Sequence, residues 1–89
     1  MSFITPPKIE ITAPKEGETV TKREILVIGK TDPDAVVRVN NQPVLLTEDG
    51  NFITEVEIFE GTKEIEVKAI SRSGKETIIR RKIKVELEK

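Results

Sequence analysis

The chain contains no cysteine, no histidine, no tryptophan and no tyrosine, and each absence removes a class of chemistry. Without cysteine there is no disulfide, no thiolate nucleophile and no cysteine-ligated zinc or iron–sulfur centre. Without histidine the commonest general base is missing, and so is the commonest ligand for transition metals. Three phenylalanines are the only aromatic residues, which leaves none of the tryptophan or tyrosine platforms on which sugars and bases usually stack. No apolar run approaches the ~18 residues of a membrane span, and the opening MSFITPPK lacks the basic and apolar regions of a signal peptide. That start implies either an intracellular protein or a piece of a longer chain to which Met1 was added.

Fifteen basic residues stand against sixteen acidic ones, for a net charge of −1, and the two signs are interspersed along the chain. A nucleic-acid module normally carries a basic stripe and stacking aromatics, so that class is excluded. Charged residues make up 35% of the chain, above the ~25% typical of globular domains; heat-adapted or deliberately charged surfaces show such a bias. With 89 residues the chain fits one domain that buries roughly 60 to 65% of its unfolded surface. That leaves little room for a deep cavity beside the core, so function is expected on the surface.

The pattern along the chain is that of short strands. Pro6 and Pro7 stiffen the opening segment, which places residues 1–7 as a linker or appended segment and the domain at 8–87. KIEIT alternates Ile9 and Ile11 inward with Lys8 and Glu10 outward. APKEGETV then breaks the alternation at Pro14 and Gly17, for a turn or a crossover between sheets. REILVIGKT is apolar on both parities, Ile25 and Val27 on one face and Leu26 and Ile28 on the other. VVRV follows the DPDA turn; Asn40 and Asn41 suit a tight hairpin because asparagine tolerates left-handed backbone angles. Pro43 confines the returning strand to an edge. After the Asp49–Gly50 turn, NFITEVEIF directs Phe52, Val56 and Ile58 inward, and KEIEVKAI does the same with Ile65, Val67 and Ala69. The last strand puts Ile79, Ile83, Val85 and Leu87 on one parity together with Arg81. A bulge near Arg80 and Arg81 would re-aim that arginine; otherwise its stem lies over the rim of the core with its charge in water. Turn signals every eight to twelve residues and no helical periodicity predict an all-β, antiparallel sandwich of about seven strands.

No residue set reads as catalytic. Ser2, Ser71, Ser73 and the threonines lack a nucleophile-elbow or Ser/Lys pattern. Asp32, Asp34, Glu48 and Asp49 offer hard oxygens for calcium on neighbouring loops, but they lack the spacing of a dedicated calcium loop and read first as turn caps. Neither a cofactor nor a metal site is expected. Sugar binding rests on Phe59 alone, should it face outward. The remaining candidate is the second apolar parity: with Ile25 and Val27 in the core, Leu26 and Ile28 face outward, joined in an immunoglobulin-like strand order by Ile53. The competing reading has this patch covered by long stems such as those of Arg23 and Lys30.

The run from PPKIEITAPKEGETV through ILVIGKTDPDAVVRVNNQPVLLTEDGNF to VEIFEGTKEIEVKAISRSGKE resembles the bacterial immunoglobulin-like modules typified by domain B of glucodextranase. The likeness spans Pro6 to Val85. It is carried by Ile25, Val27, Gly29, Thr31, Pro33, Ala35, Val37, Val39, Asn40, Asn41, Val44, Asp49, Gly50, Phe52, Gly61, Ile65, Val67, Ala69 and Gly74. Relatives often carry glycine where Asn41 stands, and asparagine where Lys63 stands. The resemblance implies an immunoglobulin-like or fibronectin III-like sandwich without catalysis, used as a spacer, adaptor or interaction module of a larger extracytoplasmic or cell-surface bacterial protein. Some similar modules follow a membrane anchor and a short proline-containing linker, of which Phe3 and Ile4 would be the stub. The partner implied is a protein or a cell-envelope component, and the chain is expected as a monomer or weak homodimer, without nucleic acid and without a transmembrane segment of its own. The alternatives are a carbohydrate- or cell-wall-binding accessory domain and a calcium-dependent adhesion module.

Overall fold

The computed structural model describes residues 6–88; Phe3 and Ile4 lie outside them. Eight strands follow one another: β1 (Glu10–Ala13), β2 (Glu18–Val20), β3 (Glu24–Lys30), β4 (Val36–Val39), β5 (Gln42–Val44), β6 (Asn51–Glu57), β7 (Glu64–Ile70) and β8 (Glu76–Val85). They form a three-stranded sheet in the order β1-β3-β6 and a five-stranded sheet in the order β2-β8-β7-β4-β5. All pairings are antiparallel except that of β2 with β8, which is parallel. The fold is the all-β sandwich expected from the alternation, and the resemblance adds its immunoglobulin-like character. Among the described residues no helix is long and apolar enough to cross a membrane.

Eight strands rather than about seven arise at the APKEGETV break, which is a crossover. β1 pairs with β3 as far as Ala13, through a register shift between Ile11 and Ala13. Gly17, at φ +77°, turns the chain toward the other sheet, where its amide donates to the Lys82 carbonyl at 2.7 Å and β2 begins. β2 has only three residues, too few for alternation to reveal it.

The core lies between the sheets and consists of Val20, Ile25, Val27, Ala35, Val37, Val39, Phe52, Ile58, Ile65, Val67, Ala69 and Ile83, with Ile9, Ile11, Val56, Val85 and Leu87 packed at its margin. Inward parity therefore falls where hydrophobic spacing puts it. Gly29 pairs with Phe52 across β3 and β6, and the ring takes the space a side chain would fill: a Cβ at Gly29 would stand 2.5 Å from Phe52 Cζ and 2.8 Å from the Glu10 carbonyl oxygen. Pro7 is fully buried, and its carbonyl accepts a hydrogen bond from the Thr77 hydroxyl.

Asn40 and Asn41 make the predicted tight turn between β4 and β5, at φ 47° and 68°. Asn40 adds a second role, since its Oδ1 accepts from the Glu66 amide at 2.9 Å while its own amide donates to the Glu66 carbonyl at 2.8 Å. The hairpin is thereby pinned to β7. Pro43 sits on β5, the edge of the five-stranded sheet, where its missing N–H costs no ladder bond.

Arg81 departs from both expectations. β7 and β8 pair without a register shift from Glu64↔Lys82 to Ile70↔Glu76, so no bulge re-aims it, and its charge is not left in water. The side chain points inward, Nη2 donating to the Ile11 carbonyl at 3.0 Å and Nε buried without a partner among the described residues. The reason lies in the edges. β2 covers only residues 83–85 of β8, so residues 76–81 have no strand paired on that side among the described residues. Arg81 and Thr77 bridge that gap to the β1 side, and an inward-pointing charge on an open edge discourages pairing with another chain.

Candidate interaction face

The outward parity of β3 and β6 brings the predicted residues together. Ile28 stands directly opposite Ile53, and Leu26 stands opposite Glu55, one pair further along. Leu26 is 48% exposed and Ile53 66%. Long lysine and arginine stems thus leave the patch open to solvent at Leu26 and Ile53, while Ile28 between them is half-buried. Ala13, the partner of Ile28 on the β1 side, extends it.

Beside this patch the crossover opens a hollow. β1 stops pairing with β3 at Ile28, so among the described residues the first half of β3 has no neighbour in its own sheet on that side, and β2 lies in the other sheet. The resulting cavity of about 350 Å³ is lined by Ala13, Val20, Ile25, Leu26 and Ile28 among polar residues that include Glu24 and Lys22. The sequence signalled the break at Pro14 and Gly17 but not that it would free an edge of β3.

Charge on this face is one-sided. Glu24 lies directly opposite Glu57, with Glu55 diagonal to Glu24, and Glu10 lies opposite Lys30. Among the described residues Glu24, Glu55 and Glu57 have no ion-pair partner. Like charges directly opposite one another weaken a sheet, so the arrangement is not one that folding alone favours.

The other candidates separate. Asp32, Asp34, Glu48 and Asp49 sit on loops that approach one another, because the Thr31 amide donates to the Gly50 carbonyl at 2.9 Å. Yet no three acidic groups among the described residues are placed to hold a metal ion, and Asp34 lies 3.9 Å from Arg72 Nη2. Gly50 has a conformational role in that loop: it adopts φ +86°, and a Cβ there would run into the Thr31 carbonyl. Phe59 faces outward, 60% exposed, on the rim of a second cavity of about 340 Å³ between β6 and the β4–β5 hairpin, lined by Asn40, Gln42, Thr54, Glu55 and Glu57.

Residues 7–87 match the family described as glucodextranase, domain B. The chain belongs to this family. Glucodextranase domain B is an accessory domain, distinct from the catalytic one. The expected resemblance to glucodextranase domain B thus holds over nearly the whole chain. No curated protein matches the chain.

Proposed function

We propose that the chain is a non-catalytic structural or interaction module of a larger extracytoplasmic or cell-surface protein, and that it meets its partner, a protein or envelope component, through the outer face of the three-stranded sheet. The observation that carries this reading is the side-by-side placement on one sheet of the exposed Leu26 and Ile53 with the half-buried Ile28 between them. Exposed apolar area on a sheet costs solubility, and contiguous patches mark contact surfaces. The work done is positional: a stiff sandwich holds the patch at a fixed distance from whatever precedes and follows it.

Light scattering over a range of concentrations tests the reading. Association that Leu26→Lys abolishes, with the fold intact by circular dichroism, supports the face as the contact surface. Association that Leu26→Lys leaves unchanged places the contact elsewhere.

A second reading has one observation in its favour. Phe59 beside the Asn40, Gln42 and Glu57 hollow offers an aromatic surface with hydrogen-bonding groups around it, the arrangement a carbohydrate-binding accessory domain uses. Retention on insoluble polysaccharide that Phe59→Ala removes would favour this reading; passage without retention would count against it.

A further inference from the structure

Taking the three-stranded outer face as the contact surface, we infer that its occupant is the outer face of the five-stranded sheet of a second copy of this chain, so that copies stack face to back. The two surfaces are complementary. The first is apolar at Leu26, Ile28 and Ile53, with Glu10, Glu24, Glu55 and Glu57 against Lys30 alone. The second is apolar at Val36, Ile70 and Ile78, where Val36 lies opposite Ile70 and Ile78 lies on the next strand. Val36 is 55% exposed and Ile78 40%. Around them Arg38, Lys68, Arg80, Lys82 and Lys84 outnumber Glu64, Glu66, Glu76 and Glu86, and Arg38 and Lys82 have no ion-pair partner among the described residues. An acid-rimmed apolar patch and a base-rimmed apolar patch are the pair that electrostatic complementarity selects.

The alternative, the same face meeting its own copy around a two-fold axis, sets Glu24, Glu55 and Glu57 against an identical acidic surface with a single lysine on each side. Like charges brought together across an interface are strongly disfavoured. A face-to-back contact leaves one free face at each end, so it extends into a linear stack rather than closing.

Its size limits its strength. Two strands of seven residues and one of four, at about 3.3 Å per residue and about 4.8 Å apart, give a footprint of roughly 300 Å², well below the ~800 Å² per partner of a stable complex. The contact is therefore weak and forms when copies are concentrated, as on a surface or along one parent chain. Added salt weakens it, since the complementary charges are exposed.

Two variants test it, each with one face spoiled: Leu26→Lys, and Ile78→Glu. Sedimentation velocity at high protein concentration is read for each alone and for an equimolar mixture. The inference expects wild-type chain to associate progressively, each variant to remain monomeric, and the mixture to form a heterodimer that stops at two. An Ile78→Glu chain that still associates overturns the face-to-back occupant while leaving the Leu26 face as a contact surface. A Leu26→Lys chain that still associates overturns the contact surface itself. Wild-type chain that stays monomeric at every concentration overturns the stacking. Val36→Glu, at a more exposed position, replaces Ile78→Glu if that variant fails to fold.

Discussion

The two outer faces of the sandwich are made by the same alternation of inward and outward side chains, and they treat charge in opposite ways. On the five-stranded sheet Arg80 sits between Glu64 and Glu66, with Nη2 3.2 Å from Glu66 Oε2 and Nε 3.6 Å from Glu64 Oε1, and Lys68 reaches Glu76 at 4.0 Å. On the three-stranded sheet Glu24 faces Glu57 and Leu26 faces Glu55. Exposed ion pairs contribute little each, about 0 to 1 kcal/mol, so the first face is not a large source of stability. It is a surface on which Lys68, Arg80 and Lys84 are paired with neighbouring carboxylates, while Arg38 and Lys82 have no ion-pair partner among the described residues. The second face leaves Glu24, Glu55 and Glu57 without ion-pair partners among the described residues and Leu26 and Ile53 exposed, and a partner of opposite charge and matching apolar centre would complete it.

The sharpest way to break this comparison is to cross from outside to inside along one strand. Phe52 and Ile53 are neighbours on opposite faces of β6. Phe52→Ala should cost about 3–5 kcal/mol through lost burial and a residual cavity, whereas Ile53→Ala should stay within about 0.5 kcal/mol, both read from urea unfolding. Next in size, Gly29→Ala should cost about 1–3 kcal/mol by forcing a Cβ against the Phe52 ring and the Glu10 carbonyl, while Lys30→Ala, one residue on and facing water, should barely move the midpoint.

Smaller effects sharpen the contrast between the faces. Glu57→Lys converts a like-charge pair with Glu24 into an opposite pair and should stabilise by about 0.2–1 kcal/mol. Glu66→Lys on the other face, which sets a lysine beside Arg80, should destabilise by a similar amount. Thermal melts of the two variants at low and high salt should converge as screening removes both effects. Leu26→Lys should change the melting temperature least, because the position is half in water already.

Much of this fold was legible because alternation needs no knowledge of neighbours. The inward set from Ile25 to Leu87 follows from period two, and the Asn40–Asn41 turn follows from backbone preference alone. Leu26, Ile28 and Ile53 could be grouped only by adding an immunoglobulin-like strand order to their parity, and the Ile28↔Ile53 register agrees. What alternation cannot supply is a contact between distant segments. Arg81 reads as a misplaced charge until the Ile11 carbonyl, seventy residues away, is beside it. The Glu24, Glu55 and Glu57 cluster needs the β3–β6 register, and the hollow beside Leu26 needs to be seen as the space β1 leaves when it changes sheets.

The most direct test of the two-face account is a dilution series followed by methyl NMR on wild-type chain. The account predicts concentration-dependent shifts at Leu26, Ile28 and Ile53 on one face and at Val36, Ile70 and Ile78 on the other, with the buried Val27, Ile65 and Val67 methyls unmoved. Shifts confined to Leu45 or to the valines beside the Phe59 hollow, with both sheet faces silent, would contradict it.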